Sequence, residues 1–203
     1  MNVEIVANTP RPVDVLSAVA GMSYGKTNPS EQRLARCIKN KHLSVLEHAT
    51  VTFRVIGISR ACTHQLVRHR NTSFVQLSQR YTRVGTGGSD WYVMPEVFYT
   101  DERLCEVYDE LMHNVGSIYT KLVELGVHPE DARYVLPEAT RSAIVVTMNY
   151  RELFHFLKLR SARNAQAEIR DLCTRMLDAL SECEDEQVGK MVDLYTEVYT
   201  GEE

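Results

Sequence analysis

The sequence lacks the features of membrane and secreted proteins. No apolar run approaches the ~20 residues that a membrane-spanning helix needs. The N-terminus, MNVEIVANTP, has neither the basic segment nor the long apolar segment of a signal peptide. We therefore expect a soluble, cytoplasmic protein with no membrane partner.

Cysteine is sparse and scattered along the chain. The five cysteines are Cys37, Cys62, Cys105, Cys173 and Cys183. An odd number at wide spacing disfavours a disulfide framework, and no CxxC motif or Cys/His set has the spacing of a zinc site. Cys62 lies close to His64, but a buried thiol beside a polar helix residue is the simpler interpretation. We predict no metal site.

The common nucleotide-binding motifs are also missing. No G-x-G-x-x-G follows a strand pattern and no GxxxxGK[ST] is present, which excludes the usual Rossmann and P-loop sites. A chain of 203 residues that is 44% apolar can form one domain with its own core, so we predict a single domain over residues 1–203. Helical patterns dominate and the few strand patterns do not alternate with them. This favours an α+β fold, with an antiparallel or mixed sheet packed against several long helices.

Several elements can be predicted from periodicity. In TVTFRVIGI, Val51, Phe53 and Val55 alternate with polar residues, as in a half-buried strand. Ser59 then caps a predicted helix over RACTHQLVRHR, in which Leu66 and Val67 pack inward. The next stretch, FVQLSQRYTRV, is rich in β-branched and aromatic residues and predicts extended structure.

The C-terminal half is predicted to be mostly helical. Asp101 begins the clearest helix, which Gly126 ends. Its apolar stripe predicts core or a helix-packing seam and comprises Leu104, Val107, Leu111, Val115, Ile118, Leu122 and Leu125. Asn149 with Glu152 resembles a capping box at the start of a helix over YRELFHFLKLRS. A further helix over NAQAEIRDLCTRMLDAL directs Ile169 and Leu172 to one face.

The charge of the chain is unevenly distributed. No Asp or Glu occurs from His48 through Ser89, and this segment has six arginines and no lysine. It therefore carries +6, which leaves −10 for the rest of a chain of net charge −4. Arginine without lysine fits planar, bidentate recognition of a phosphate or a carbonyl-rich ring. A basic face that contacts an acidic subunit is the alternative.

The stretch RHRNTSFVQLSQRYTR contains four of these arginines. If RHR is the last turn of a helix, Arg68 and Arg70 project at different angles. Ser78 and Arg80 are two residues apart on the predicted extended segment, so they share one side. We expect these groups and His69 to face one pocket.

The string RHR, seven residues and then Ser resembles the signature of the flavin-dependent thymidylate synthases. Further blocks similar to that family occur in the family's order, over about residues 30 to 180. These blocks are HLSVLEH, SRACTHQLVRHR, SQRY, ARYVLP and NYRELFHFLKLRSARNAQAEIR.

The resemblance implies reductive methylation of dUMP to dTMP. Methylenetetrahydrofolate would donate the carbon, FAD would carry the hydride and NADPH would be the reductant. The protein would then bind, orient and polarise the substrates, since the cofactor carries the difficult chemistry. The folate-only thymidylate synthases use a nucleophilic cysteine in a P-C-H context, and no cysteine here has that context.

The resemblance also implies roles for individual residues. Those that would contact FAD are Ser44, Arg68, His69, Arg70, Gln76, Asn149, Arg151 and His155. Those that would contact dUMP are Gln65, Leu66, Val67, Arg68, Gln76, Leu77, Ser78, Gln79, Arg80, Arg133 and Arg160. Arg160 would be catalytic, because a guanidinium at the uracil N3/O4 side stabilises negative charge and activates C5. The chain departs from the family at Val75-Gln76, where Asn-Glu is frequent, and His155 stands where Asn is also found.

Other interpretations stay open. Arg133 and Arg151 could be structural ion-pair partners, Ser44 a helix-terminal hydroxyl, and Arg160 a partner of Glu168. Ser78 is expected to bind rather than to attack, because no base lies at local spacing.

Two other functional classes compete with the synthase. One is a nucleic-acid-binding module with Tyr81 and Trp91 as stacking groups. The acidic net charge argues against it, so we expect no nucleic-acid partner. The other is an inactive homologue that only binds nucleotides. Because FAD, dUMP and folate are large relative to the chain, we expect a homotetramer with sites at subunit interfaces, as the resemblance also implies.

Overall fold

The computed structural model describes residues 1–199. Its strands are β1 (Asn2–Asn8), β2 (Thr50–Ser59), β3 (Thr72–Gln76) and β4 (Arg141–Asn149). Its α-helices are α1 (Pro12–Met22), α2 (Glu31–Lys39), α3 (Arg60–Leu66), α4 (Glu102–Glu124), α5 (Pro129–Ala132), α6 (Tyr150–Arg160), α7 (Ala167–Ser181) and α8 (Glu186–Tyr199). Short 3-10 helices span Leu43–His48, Glu96–Thr100 and Arg133–Val135.

The strands form a sheet in the order β1-β2-β4-β3. Tyr150 N–H donates to the carbonyl of Ala49 at 3.1 Å, and Arg60 N–H donates to the carbonyl of Thr140 at 3.0 Å. As one residue number of a pair rises the other falls, so β2 and β4 are antiparallel. The predicted α+β class, with an antiparallel sheet and several long helices, is confirmed.

The strand patterns follow the pleat of the sheet. Val51, Phe53 and Val55 of β2 are fully buried, as the alternation predicts. In β4 every second residue is buried, from Ser142 to Met148. The strand predicted over TVTFRVIGI is therefore confirmed.

The chain groups into two compact units. The first unit comprises Met1, Ile56–Leu66 and Val75–Ile144. The second unit comprises Asn2–Val55, Val67–Phe74 and the chain from Val145 onward. The single domain over residues 1–203 stays a prediction.

In the first unit α4 begins and ends as predicted. The Asp101 carboxylate accepts a hydrogen bond from the backbone N–H of Arg103, and Gly126 follows the helix at φ +88°. Of the two interpretations of the stripe, burial in the core is wrong, because Val107, Leu111 and Ile118 are 67%, 54% and 52% exposed. The helix-packing seam stays a prediction.

The buried face of α4 is turned by about one residue from that stripe. Met112, Gly116 and Tyr119 are buried, and Met112 packs in a cluster with Trp91 and Tyr92. The aromatic residues therefore select the inward face of this helix, and most of the aliphatic stripe is left exposed.

The second unit has a larger core. Phe154, Phe156 and Leu157 of α6 are fully buried, as are Ile169 and Leu172 of α7. A buried side chain of this size stabilises the fold by about 1.5–3 kcal/mol. The predicted inward face of α7 is confirmed, whereas β1 and α1 were not predicted.

Helix α7 packs against β1 and α8, and α1 packs against α2 and α8. Among residues 1–199, no helix combines the length and apolarity that a membrane crossing requires.

Candidate functional site

The RHR motif lies in the turn that follows α3, in the part of the chain that belongs to the second unit. Helix α3 ends at Leu66, so the prediction of RHR as a last helical turn is wrong. Arg68 and Arg70 are exposed, whereas His69 is only 5% exposed. Val67 is also exposed, contrary to the predicted inward packing. The turn thus directs one histidine inward and two arginines outward.

His69 connects two charged residues of α6. Its Nδ1 lies 2.9 Å from the Oε1 atom of Glu152, and its Nε2 lies 3.2 Å from the Nε atom of Arg160. Its ring packs against the ring of Phe156 in a T-shaped arrangement, with 4.9 Å between ring centroids. His69 is therefore held at both nitrogen atoms and by a ring contact.

The ionisation of His69 reflects these neighbours. Burial lowers the pKa of the imidazole, while the hydrogen bond and the charge of Glu152 act to raise it. The charges of Arg160 and His155 add to the lowering. A neutral imidazole is favoured, consistent with its acceptance of a hydrogen bond from a guanidinium, which can only donate.

The start of α6 brings Glu152 to His69. The side chain of Asn149 accepts a hydrogen bond from the backbone N–H of Glu152 at 2.9 Å, so the predicted cap is confirmed. In a capping box the glutamate would bond back to the cap residue. Here the carboxylate bonds to His69 instead.

A cavity of about 750 Å³ opens beside this helix start. Three residues expected to hold a flavin line it, namely Asn149, Arg151 and His155. The other lining residues are Leu43, Glu47, Asn71, Glu152 and Tyr199. Most of these groups are hydrogen-bond donors or acceptors, which suits a ligand with phosphate, hydroxyl and amide groups.

An ion pair lies in the wall of this cavity. Arg151 forms an ion pair with Glu47, the structural role that the sequence left open for it. Both side chains are about half exposed, so the pair itself adds little stability. Ser44 is exposed on the same 3-10 helix as Leu43 and Glu47.

His69, Glu152 and His155 also lie close enough to be considered as cation ligands, with ligand atoms within 4.8 Å of one another. To bind a metal ion through Nε2, His69 would have to give up the hydrogen bond from Arg160. A cation would then lie near a guanidinium, which is unfavourable. This geometry favours a hydrogen-bond network over a metal centre.

The first unit contains most of the residues expected at dUMP. Ser59 caps α3 by accepting a hydrogen bond from Cys62 N–H at 3.0 Å, and Gln65 and Leu66 end that helix. Leu66 is fully buried, so its side chain packs rather than faces a ligand.

Gln76 is held by two hydroxyl groups. Its side-chain amide donates to the Oγ1 atom of Thr63 at 3.0 Å and to the Oγ atom of Ser142 at 3.1 Å. Gln76 is the last residue of β3.

After Gln76 the chain turns, so the prediction of extended structure over the whole stretch is wrong. Thr82 N–H donates to the carbonyl of Ser78, and Arg80 N–H donates to the Ser78 hydroxyl at 3.2 Å. Ser78 and Arg80 are therefore joined by a turn instead of sharing one side of a strand.

A smaller cavity of about 340 Å³ lies at this turn. Leu77, Ser78 and Gln79 line it, together with two arginines outside the expected set, Arg83 and Arg141. Arg83 lies in the acid-free segment, and that charge pattern was the sequence signal that could have identified Arg83 as a site residue.

Glu130 connects two other arginines of the expected set. Its carboxylate accepts a hydrogen bond from the Nε atom of Arg80 at 3.0 Å and forms an ion pair with the Nη2 atom of Arg80 at 2.9 Å. Its backbone carbonyl accepts a hydrogen bond from Arg133 at 3.0 Å. Local sequence carried no signal for this pairing, because residues 80 and 130 are far apart in the chain.

The structure thus brings together His69, Asn149, Arg151, His155 and Arg160 in the second unit. It brings together Gln76, Leu77, Ser78 and Gln79 in the first unit, with Arg80 and Arg133 joined through Glu130. Sequence reasoning missed Glu47, Glu130 and the hydrogen bond of Glu152 to His69. Of these, Glu152 alone was singled out by a local pattern.

Comparisons with known proteins identify relatives over most of the chain. A family model described as thymidylate synthase complementing protein matches residues 4–183. The chain is 40% identical to the flavin-dependent thymidylate synthase of Pyrococcus furiosus over 197 residues, which cover 91% of this chain and 81% of the relative. It is 40% identical to that of Geobacter sulfurreducens over 188 residues, which cover 87% and 81%.

A solved structure has the same fold. Thymidylate synthase X from Helicobacter pylori, crystallised with FAD and dUMP, superposes with a TM-score of 0.77 at 23% sequence identity. The match covers 96% of this chain and 99% of that chain.

Proposed function

The chain belongs to the family of the flavin-dependent thymidylate synthases, and from this we propose that it converts dUMP to dTMP by reductive methylation. The carbon donor is methylenetetrahydrofolate and the reductant is NADPH. The observation that carries the proposal is the match over residues 4–183, which contains the RHR motif and every downstream block.

FAD is the proposed resident cofactor, and the donor set of the large cavity fits it. Asn149, Arg151 and His155 supply groups for phosphate and hydroxyl oxygens there. FAD, when bound, would carry the hydride from the reductant to the pyrimidine, where it would reduce the transferred carbon to a methyl group. The further residues proposed to hold it are Ser44, Arg68, His69, Arg70 and Gln76.

The role proposed for Arg160 is electrostatic. A guanidinium at the N3/O4 side of uracil stabilises the negative charge that develops there, which makes C5 a better nucleophile without covalent attack by the protein. The residues proposed to bind and orient dUMP are Gln65, Val67, Arg68, Gln76, Leu77, Ser78, Gln79, Arg80 and Arg133.

Nucleic-acid binding is less well supported. Tyr81 is exposed, but Trp91 is 4% exposed and packs in the α4 cluster, so it is not available for base stacking.

Self-association is part of the proposal. The exposed stripe of α4, with Val107, Leu111 and Ile118, is a row of aliphatic side chains that a second copy of the chain could bury. We propose a homotetramer with sites at subunit interfaces. The cytoplasmic location stays a prediction.

The decisive experiment is to assay the purified protein with dUMP, methylenetetrahydrofolate and NADPH. We expect a yellow protein whose flavin spectrum changes on addition of dUMP and which forms dTMP. A flavin spectrum that responds to dUMP without dTMP formation would identify an inactive homologue. A colourless protein that takes up no added FAD would refute the proposal.

A further inference from the structure

A chain of hydrogen bonds runs from Glu152 through His69 to Arg160. Glu152 is 8% exposed and His69 is 5% exposed, so the first of these bonds is shielded from water. Removing a buried acceptor leaves its donor unsatisfied, which makes this bond more consequential than a surface ion pair.

Arg160 determines which atoms donate in these two hydrogen bonds. A guanidinium only donates hydrogen bonds, so His69 Nε2 accepts from the Nε atom of Arg160. The proton of the neutral imidazole is then on Nδ1, where it is donated to the carboxylate of Glu152. The other neutral tautomer would break both bonds.

The position of Glu152 excludes two simpler roles. Its carboxylate does not complete the capping box of α6, since it accepts from His69, while Asn149 caps the helix. Nor does it form an ion pair in solvent, because its side chain is buried. The carboxylate instead favours the same tautomer of His69 that the hydrogen bond from Arg160 requires.

We propose that Glu152 is a positioning residue: by holding His69 in the Nδ1–H tautomer, it directs the guanidinium of Arg160. The proposal rests on the proposed function, because Arg160 is expected to act on the pyrimidine there. A hydrogen bond at Nε restricts rotation of the planar guanidinium, and this restriction determines where its terminal nitrogens point.

Low pH should disrupt the same network. The charged groups around His69 are Glu152 and Arg160, the titratable His155, and Arg68 and Arg70 on its own turn. When His69 takes a second proton it loses its acceptor and places a cation beside Arg160. Activity should therefore fall on the acid side.

Two substitutions at position 152 separate geometry from charge. Glu152→Gln keeps an oxygen that accepts from Nδ1–H but removes the negative charge. We expect turnover within about threefold of wild type, with the acid limb of kcat/KM at lower pH because imidazolium loses its stabilising partner. Glu152→Leu removes the acceptor. We expect at least ~10-fold lower turnover with the flavin still bound.

A direct measurement of the tautomer does not depend on activity. In ¹⁵N NMR of the holoprotein, the His69 signals, assigned by their loss in His69→Gln, should show a protonated Nδ1 and a bare Nε2. Glu152→Leu should change this pattern and Glu152→Gln should preserve it. Asp171→Asn, which removes one carboxylate from an exposed ion pair of α7, should change neither the tautomer nor the acid limb.

An unchanged tautomer in Glu152→Leu, or wild-type turnover in that variant, would overturn the proposal. If Glu152→Leu does not fold, an unmoved acid limb in Glu152→Gln would overturn it equally. If the wild type forms no dTMP, the proposed function fails, and the NMR pattern still decides whether Glu152 controls His69.

Discussion

The side-chain amide of Gln76 donates a hydrogen bond to the hydroxyl of Thr63 at 3.0 Å. The hydroxyl hydrogen of Thr63 is already donated to the carbonyl of Arg60 at 2.9 Å. Thr63 therefore presents a lone pair to position 76, and a residue that donates is needed there. This explains why glutamine, and not glutamate, fits this position in this chain.

Gln76→Glu should destabilise the protein. A carboxylate would face a lone pair of Thr63, or Thr63 would have to release Arg60, at a cost of about 1–3 kcal/mol. Urea unfolding at neutral pH measures this cost, with Gln32→Glu on the exposed face of α2 as the control for added charge. Equal stability of both variants would show that Thr63 reorients freely.

Arg160→Ala should slow turnover without releasing the cofactor. If the guanidinium stabilises developing charge on the pyrimidine, the barrier rises by about 2 kcal/mol or more, which is roughly 30-fold. Single-turnover kinetics and the flavin spectrum measure the two effects separately. Arg175→Ala on α7 is the control, and unchanged turnover in Arg160→Ala would remove Arg160 from the mechanism.

Arg68→Ala should weaken the binding of flavin and dUMP together. Loss of hydrogen bonds from a charged donor costs about 1.5–3 kcal/mol, so both dissociation constants should rise about tenfold or more. Titration followed by the flavin spectrum tests this, with Arg36→Ala as the matched loss of an exposed arginine. A loss of folding stability with unchanged affinities would indicate a structural role instead.

His69 should make the stability of the protein depend on pH. The folded imidazole has a lowered pKa, whereas the unfolded chain takes up its proton near pH ~6.5. Below that pH the unfolded state binds more protons, so the contribution of His69 is present above ~6.5 and is lost as the pH falls.

The free energy of unfolding should therefore decline more steeply below pH ~6.5 in the wild type than in His69→Gln. His48→Gln, at an exposed histidine, should behave as the wild type. Parallel curves for the wild type and His69→Gln would contradict the prediction.

Charges on the stripe of α4 should reduce self-association. Glutamate in the double variant Leu111→Glu, Ile118→Glu would have to be desolvated in a helix-packing interface, and both positions are exposed in the single chain. Light scattering should show a smaller assembly, while Ser117→Glu on the same helix leaves the mass unchanged. A wild-type mass for the double variant would place the interface elsewhere.

Much of the fold could be predicted from local patterns. The alternation in TVTFRVIGI, the caps at Ser59, Asp101 and Asn149, and the apolar face of α7 each depend on residues close in sequence. Local propensity and burial agree at these positions. The acid-free segment likewise predicted a site rich in arginine.

Other features required the tertiary structure. The aliphatic stripe of α4 is regular, but Met112 packs in the cluster with Trp91 and Tyr92 and Tyr119 is buried on the same face, so packing volume decided between two adjacent faces. Strand β3 ends at Gln76, well before the end of the extended stretch predicted from Phe74, because Ser78 and Arg80 form a turn.

The sequence by itself determined the class of fold, the family, and which residue types gather around the motif RHR. Only the tertiary structure decided that His69 is buried between Glu152 and Arg160, 83 and 91 residues away along the chain. Hydrogen-bond partners so distant in sequence leave no local periodicity, and the tautomer of a histidine depends on which groups the fold brings to its two nitrogens.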